Sequence, residues 1–374
     1  MDIKFSDTTY GTRSLEFITD VMNDSHNITT SKYSQKITEL ARDRYGFKNL
    51  FLTPSCSSSL LLLAIMLRSQ SKQTILVPSF TFTTSVASFE SVGFNIKYVD
   101  IDSETLCLDL SDLESQFDDS VFAVVNTNYA GYIRNHIALR KWCTDRKLLM
   151  IEDAAHSFTS KNQVSVGSIS DFTVLSFHAS KNISCGEGGG VIVNNENYVE
   201  RIQYLRDKGT NRHNFLTGKI NKYGWVDKGS NFKLSEILAA SLYGSILELD
   251  KIMLPRIKVW NQYYAQLKNI FEEANWLVNP GTLEQEILGY HIFFVVAPSE
   301  KDCKNFIAEM NKRKIPVQSH YTNLHKSSYG SKYWTRSLIN SEKVENSIAR
   351  LPLHSNLSDL QVREVVLNIR EYFS

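Results

Sequence analysis

Cysteine is scarce in this sequence, and none of its cysteines stands in a CxxC pair. The five that occur are odd in number and widely scattered: Cys56, Cys107, Cys143, Cys185 and Cys303. This pattern argues against both a structural zinc site and a disulfide framework, and it favours a reducing cytoplasm. Cys185 stands close to His178 and Lys181 and could be a catalytic thiol. We favour the interpretation that Cys185 is a small hydrophobic residue, because no recognisable nucleophile motif surrounds it.

Long apolar runs and an excess of one charge are also missing. The longest apolar run, residues 60–67, is far shorter than the roughly 20 residues that a membrane helix needs. The 41 basic residues nearly balance the 40 acidic ones, which argues against nucleic acid or an anionic membrane as a partner. The N-terminus MDIKFSDTTYG has no apolar core and no small-residue cleavage site. We therefore expect no signal peptide and a cytoplasmic protein.

Strand-like and helical patterns alternate from residue 49 to about residue 195. Short β-branched or apolar runs occur at residues 49–53, 74–78, 94–101, 121–127, 148–153, 171–177 and 190–195, and helical stretches separate most of them. Alternation of this kind predicts an α/β fold with a mostly parallel central sheet flanked by helices.

The remainder of the chain has a different pattern. A polar segment of about twenty residues, 210–230, shows little secondary-structure signal, and loops of this length are usually functional or disordered. Helical patterning then runs from Leu234 to about Ile270, with a predicted interruption at Pro255. A strand at 291–298 and helices at 301–313 and 360–372 indicate a small α+β domain. We therefore expect a large domain, residues 1–250, and a small C-terminal domain, residues 251–374.

Polar residues follow the carboxyl ends of five predicted strands, which is where ligands bind in open parallel sheets. These segments are TPSCSS (53–58), PSFTF (78–82), NTNYAG (126–131), EDAAH (152–156) and SFHASK (176–181). Any one of them alone indicates little. Five polar strand ends in one predicted sheet indicate a binding site.

The segment PSCSSSL combines small hydroxyl side chains with the start of a predicted helix. Such a start presents free N–H groups and the positive end of the helix dipole, which suits a phosphate group. The alternative is a serine-rich helix cap without a ligand. No GxxxxGK[ST] motif occurs, which argues against a P-loop.

Asp153 and Lys181 suggest the chemistry of the site. Glu152 and Asp153 end an apolar strand, and a buried carboxylate needs a partner such as a cationic ring nitrogen or a metal ion. Since no further ligands are evident, we predict no metal. Lys181 is either a surface amine or an amine that forms a Schiff base, and Phe82 is either core or a ring-stacking aromatic. Phosphate site, carboxylate and lysine together are what pyridoxal 5′-phosphate (PLP) requires.

Residues 40–270 resemble the fold-type I, PLP-dependent sugar aminotransferases of the DegT/StrS family, and the remainder is compatible with that family's small domain. The motifs that carry the resemblance are LTPSCSSSL, PSFTFTT, IEDAAHS, SFHASKN followed by GEGGG, and GSNFKLSEILAA. The resemblance implies that Lys181 holds the cofactor and moves the proton, and that Asp153 pairs with the pyridine nitrogen. It places His156 beside the ring hydroxyl and Phe82 against the ring. We expect the glycines after Lys181 to let the backbone pack tightly behind it.

Further positions follow from the same resemblance. Cys56, Ser57 and Ser176 match phosphate-binding positions, and Ser55 completes the predicted phosphate site. Asn231 matches an asparagine that reaches the phosphate from the neighbouring subunit, which implies a homodimer with shared active sites. Our candidates for substrate binding are Asn128, Tyr129, His178, Arg212, Tyr223 and His320.

The segment 208–232 resembles dTDP-4-amino-4,6-dideoxygalactose transaminases. This resemblance implies amino transfer from L-glutamate to the C4 ketone of dTDP-4-keto-6-deoxy-D-glucose, for surface polysaccharide (O-antigen type) biosynthesis. The gluco (viosamine-type) product and a 3-keto sugar nucleotide remain alternatives, as do a non-catalytic PLP-binding regulator and a nucleotide-binding α/β protein without PLP. The sequence departs from the family pattern at SHNITTSKYS, at Asn128 in place of histidine, and at Lys233 in place of arginine. Relatives with histidine in place of the lysine are dehydratases, and Lys181 argues against that activity.

Overall fold

The protein is described by a computed structural model over residues 2–68, 73–158, 165–278, 289–333 and 336–374. The N-terminal part contains α1 (Ser14–Asn23), α2 (Ser25–Thr30) and α3 (Lys32–Tyr45). The alternating part contains β1 (Leu50–Thr53), α4 (Cys56–Leu67), β2 (Thr74–Pro78), α5 (Thr84–Glu90), β3 (Asn95–Val99), α6 (Leu110–Gln116), β4 (Val121–Thr127), α7 (His136–Asp145), β5 (Leu149–Ala154), β6 (Phe172–Ser176) and β7 (Gly189–Val193).

The C-terminal half is mainly helical. It contains α8 (Val199–Arg206), α9 (Arg212–Leu216), α10 (Glu236–Leu247), α11 (Leu249–Glu273), β8 (Leu277–Val278), β9 (Phe293–Val296), α12 (Glu300–Lys312), α13 (Ile339–Ser347), β10 (Ile348–Leu351) and α14 (Asp359–Phe373). None of the helices in the described ranges combines the length and the apolarity that a membrane crossing requires.

Seven strands form the central sheet in the order β1-β7-β6-β5-β4-β2-β3. β7 runs antiparallel to both of its neighbours, β1 and β6, and every other neighbouring pair is parallel. The carboxyl ends of the parallel strands therefore meet at one edge. The predicted α/β fold with a mostly parallel sheet is confirmed.

Both faces of the sheet are covered, as β2 illustrates. Ile75 and Val77 pack into a cluster with the apolar residues of α4, while Leu76 between them points into a separate cluster with Leu113 and Leu139 of the other helix layer. Because successive residues of a strand face opposite sides, a strand covered on both sides is apolar throughout. This explains why the strands lack a polar alternation in the sequence.

A three-stranded antiparallel sheet in the order β10-β9-β8 lies in the C-terminal part. Helices α11, α12 and α14 cover it, and Trp260, Phe293 and Phe306 are at the centre of the shared core. Ile3 belongs to the same core, so the start of the chain packs on the C-terminal layer.

The long helical pattern after Leu234 breaks at a different place from the one predicted. α10 ends at Leu247 and α11 begins at Leu249, whereas Pro255 lies inside α11. Pro255 is exposed, so water can reach the carbonyl that its missing N–H leaves unpaired. The segment 210–230 is also more ordered than predicted, since it contains α9 and a bridge between Thr210 and Trp225.

Candidate active site

A cavity of about 320 Å³ lies at the carboxyl edge of the central sheet. The carboxyl end of β4 and segments at or after the ends of β1, β2, β5 and β6 contribute to its wall, as the positions of the polar strand ends predict. The structure brings together these sequence-predicted residues in one wall: Ser55, Cys56, Ser57, Phe82, Asp153, His156, Ser176, His178 and Lys181.

One end of this cavity is formed by the first turn of α4. Ser55 caps the helix, and its Oγ accepts a hydrogen bond from the N–H of Ser58 (3.1 Å). The N–H groups of Cys56 and Ser57 lie at the very start of the helix, where no preceding turn offers a carbonyl group to accept their hydrogen bonds. The Oγ of Ser57 donates to the Oγ1 of Thr84 (3.1 Å), which brings the start of α5 to the same place. Hydroxyl groups and a helix N-terminus together can hold a dianionic phosphate.

Gly189 allows this turn to lie directly against the sheet. It pairs with Thr53 on one side and with Ser176 on the other. A Cβ atom at position 189 would lie 2.3 Å from the carbonyl carbon of Ser55 and 2.4 Å from the nitrogen of Cys56. Gly189 thus permits a close backbone contact with the start of α4. From the sequence, we expect the glycines to pack behind Lys181 instead.

Glu152 and Asp153 are both buried at the end of β5, and their side chains point to opposite sides of the sheet. Oε2 of Glu152 accepts hydrogen bonds from the N–H of Gly167 (2.9 Å) and the Oγ1 of Thr173 (2.9 Å), and Oε1 accepts one from the Nδ2 of Asn128 (2.7 Å). Glu152 is therefore satisfied by the protein itself. Alternation along the strand turns Asp153 the other way, into the cavity.

Two donors hold the Asp153 carboxylate in place. The Oγ of Ser85 donates to Oδ2 (2.6 Å), and the N–H of Ala155 donates to Oδ1 (3.1 Å). Burial raises the pKa of Asp153 above its ordinary value, although the bond from Ser85 and the nearby Lys181 act in the opposite direction. A cationic nitrogen in the cavity would offset this cost.

Lys181 extends from the turn that links β6 to β7. The N–H of Phe177 donates to the carbonyl of Gly188 (2.8 Å), and the N–H of Ala179 donates to the carbonyl of Gly186 (2.8 Å), which closes this turn. Burial lowers the pKa of Lys181, while Cys56 and Asp153 act in the opposite direction. A lowered pKa increases the fraction of neutral amine, the form that attacks a carbonyl carbon.

His156 is held in one tautomer beside Lys181. Its Nδ1 accepts a hydrogen bond from the N–H of Ala130 (3.3 Å), so the proton of the neutral ring is on Nε2, which donates to the Oη of Tyr321 (3.3 Å). Burial, with the nearby Lys181 adding to it, holds the pKa of His156 well below its usual range. Phe82 leaves 55% of its surface exposed at the cavity, with its ring centroid 6.4 Å from that of Tyr321. Such an exposed ring can stack on a planar ligand.

The other sequence-predicted residues lie outside this cavity. Asn128 is buried against Glu152, and Tyr129 is buried with its Oη 2.8 Å from the Nδ1 of His320. Arg212, Tyr223 and Asn231 lie on the segment after α8, away from the cavity lining.

A second cavity of about 380 Å³ adjoins the first, and both share Phe82, His156, Ser180, Lys181 and Tyr321 in their lining. His320, which the sequence analysis names as a candidate for substrate binding, lines the second cavity.

The sequence analysis did not predict four residues that line these cavities: Thr84, Arg256, Tyr321 and Arg350. Of these four residues, only Arg256 could have been found from the sequence pattern. It occupies the buried stripe of α11 between Ile252 and Val259, where an apolar residue is the normal choice.

The side chains at the first cavity match the groups of PLP. The first turn of α4 suits the phosphate, the buried Asp153 suits a protonated ring nitrogen, Phe82 offers a stacking surface, and Lys181 suits the aldehyde. The close contact at Gly189 and the desolvated Asp153 carboxylate are the structural observations behind this match.

Comparisons with known proteins show the same fold and a family relationship. Helicobacter pylori PseC, an aminotransferase involved in the biosynthesis of pseudoaminic acid, has the same fold with a TM-score of 0.89 and 22% identity, over 100% of this chain and 99% of that chain. The protein Spr1654 of Streptococcus pneumoniae, in its PLP form, superposes with a TM-score of 0.88 at 19% identity, over 100% of this chain and 99% of that one. Uncharacterized protein MJ1066 of Methanocaldococcus jannaschii is 26% identical over 358 residues, which are 93% of this chain and 92% of that protein.

Fold and site together define a PLP-dependent transferase of fold-type I, an enzyme of the transaminase type. Residues 10–370 match the DegT/DnrJ/EryC1/StrS aminotransferase family, and the chain belongs to this family of sugar aminotransferases.

Proposed function

We propose that this enzyme transfers the amino group of L-glutamate to the C4 ketone of dTDP-4-keto-6-deoxy-D-glucose, giving dTDP-4-amino-4,6-dideoxygalactose. The juxtaposition of Lys181, Asp153 and the first turn of α4 in one cavity carries the aminotransferase part of this proposal. The acceptor and the O-antigen type of pathway rest on the resemblance of segment 208–232 alone. The gluco epimer and a 3-keto sugar nucleotide are the alternatives for the product and the acceptor.

In this proposal Lys181 holds the cofactor and then moves the proton. When bound, PLP supplies an electron sink for the negative charge that develops at the substrate carbon. With PLP bound, the desolvated Nζ of Lys181 would move the proton between that carbon and the cofactor. Asp153, fixed by Ser85 and Ala155, would hold the pyridine nitrogen of the cofactor in its protonated form. His156 donates through Nε2 and leaves the hydroxyl hydrogen of Tyr321 free to bond in the cavity.

Ser55, Cys56, Ser57 and Ser176 hold the phosphate in this proposal, and Asn231 completes the site of a second subunit in a homodimer. Support for the dimer comes from the segment that carries Asn231. Trp225, with 83% of its surface exposed, lies there beside the exposed Tyr223 and Val226. Large exposed apolar side chains in one segment are typical of a protein contact. We also keep the division into a large domain, residues 1–250, and a small domain, residues 251–374, and the cytoplasmic location as proposals.

The role of Lys181 is tested by the Lys181→Ala variant. We expect it to lose the absorbance above 400 nm that bound PLP gives the wild type, and to lose turnover. Borohydride reduction of the wild type, followed by peptide mass spectrometry, should place the phosphopyridoxyl group on Lys181. The matched control is Lys141→Ala, whose side chain is 75% exposed on α7 and which should behave as wild type. Full activity in the Lys181→Ala variant would contradict the assignment.

The acceptor and the product are tested with purified enzyme, L-glutamate and dTDP-4-keto-6-deoxy-D-glucose. We expect release of 2-oxoglutarate, and NMR of the product should show an axial amine at C4. An equatorial amine at C4 would show that the product is the gluco epimer instead of the galacto epimer. Absence of 2-oxoglutarate with every keto sugar nucleotide would contradict the aminotransferase proposal and favour a PLP-binding regulator.

A further inference from the structure

Arg256 is a buried cation without a carboxylate partner in the described part of the chain. Only 3% of its surface is exposed, and it lies on the core-facing side of α11. Its Nη1 donates to the carbonyl of His291 (3.1 Å), while its Nε is buried and finds no hydrogen-bond partner among the described residues. Burial alone lowers the pKa of Arg256 to about 10, with no contribution from a neighbouring acid. A guanidinium in this situation is costly unless an anion completes it.

Arg350 faces the same cavity from β10. Its Nε and Nη2 both donate to the carbonyl of Ser319 (3.2 and 2.9 Å), and its guanidinium lies 5.0 Å from the ring centroid of Phe5. These contacts fix the plane of the group and use two of its five N–H donors. Burial lowers the pKa of Arg350, against which only the tyrosines Tyr129 and Tyr321 act.

Both arginines line the second cavity together with Lys181. No aspartate or glutamate is among the described residues in that lining. The three histidines there, His156, His291 and His320, are kept neutral, since burial holds the pKa of each below its usual range. Two permanent positive charges therefore face a space that opens onto the reactive amine.

We propose that Arg256 and Arg350 bind the two carboxylates of a dicarboxylic amino donor, with L-glutamate as the natural one. This inference rests on the proposed function and identifies the donor-binding residues of the same site. The carbon that Lys181 must reach is bonded directly to a carboxylate in an amino acid donor. In a sugar nucleotide the phosphates are on C1, away from the keto carbon, so a charge next to Lys181 fits the donor better than the acceptor. Arginine presents paired donors that match the geometry of a carboxylate.

The test separates the two half-reactions of the PLP-loaded enzyme. Glutamate added alone should bleach the absorbance above 400 nm, and the keto sugar nucleotide added to the aminated enzyme should restore it. In Arg256→Met and Arg350→Gln we expect kcat/KM of the glutamate half-reaction to fall by about tenfold or more, as for loss of a charge-assisted hydrogen bond. The sugar half-reaction should change far less. Arg256→Lys should recover part of the loss.

Two further measurements distinguish binding from a structural role. Maleate, an unreactive dicarboxylate, should perturb the cofactor spectrum of the wild type at lower concentration than acetate, and this difference should shrink in both variants. The Tm of Arg256→Met should not fall, because an unpaired buried charge is removed. Arg206→Met is the control. Burial lowers the pKa of Arg206 to about 10 as well, yet its Nη1 donates to the carbonyl of Leu52, outside this cavity. We expect it to keep the preference for maleate.

The outcomes separate the alternatives. A selective loss in the sugar half-reaction would overturn the proposal and assign the arginines to the diphosphate of the acceptor. Equal losses in both half-reactions, or a fall in Tm with maleate binding unchanged, would also overturn it in favour of a structural role. If no amino acid reacts with the wild type, the proposed function fails. Maleate binding still decides whether the arginines form a dicarboxylate site.

Discussion

Replacing Gly189 by alanine tests whether the first turn of α4 holds the phosphate. The new Cβ would lie 2.3–2.5 Å from three backbone atoms of Ser55 and Cys56. Carbon atoms pack favourably only at about 3.5–4.0 Å, so the turn must move by roughly 1 Å. Backbone atoms cannot rotate out of the way, in contrast to the end of a flexible side chain. The N–H groups of Cys56 and Ser57 move with the turn.

We expect two effects of this displacement. Overpacking of this kind costs about 1–3 kcal/mol of stability. A similar loss in phosphate contacts would raise the Kd for PLP by about 5–150-fold, since about 1.4 kcal/mol corresponds to a factor of ten. Titration of the PLP-free enzyme with PLP, followed by absorbance above 400 nm, measures the Kd, and thermal unfolding with and without PLP measures stability.

The neighbouring glycine provides a matched control. A Cβ at Gly190 would meet the Cδ1 of Leu50 at 3.0 Å and other atoms only at 3.6 Å, so a small side-chain movement accommodates it. Gly190→Ala should therefore keep the Kd for PLP of the wild type. If Gly189→Ala also keeps this Kd within about twofold, the start of α4 does not hold the phosphate and the reasoning is wrong.

Two further predictions concern Asp153 and the subunit contact. Because burial raises the pKa of Asp153 in the PLP-free enzyme, its carboxylate destabilises the fold above that pKa and ceases to do so as pH falls towards the ordinary value of 3.8. PLP-free Asp153→Asn should thus be more stable than the PLP-free wild type at pH 7, and the difference should vanish near pH 3–4. The affinity of this variant for PLP should fall. Urea unfolding at both pH values measures the stabilities, and a variant that is less stable than the wild type at pH 7 contradicts the prediction. The control Glu152→Gln should lose stability with or without PLP, because its carboxylate is fully bound by the protein. If active sites are shared, inactive Lys181→Ala and Asn231→Ala enzymes should regain activity when their subunits are mixed and re-associated, and a mixture that stays inactive would exclude this arrangement.

The fold could be predicted from local pattern because its helices and strands have distinct apolar periods. Strands covered on both faces appear as short apolar runs, and β2, β4 and β7 lie within one or two residues of the predicted ranges. The reversed direction of β7 has no local signal, since the residues of a buried strand are the same in either direction. The continuation of α11 through Pro255 depended on the exposure of that residue, which only packing defines.

The first cavity could be predicted for a related reason. Its residues directly follow strands of one sheet, so the fold class alone brings Asp153, Lys181 and the first turn of α4 together. The second cavity could not be predicted in this way. Arg256 and Arg350 come from α11 and β10, which pack beside the large sheet through tertiary contacts of the C-terminal layer.

The sequence by itself determined the α/β class, the family and the residues at the strand ends, because these depend on periodicity and on motifs read within a few positions. Tertiary structure decided which of two adjacent carboxylates faces the cavity, and it decided that Gly189 contacts the start of α4. It also decided that two arginines far apart in the chain share a cavity with Lys181. Each of these depends on how distant segments pack, and a side chain's burial and partners exist only once that packing is complete.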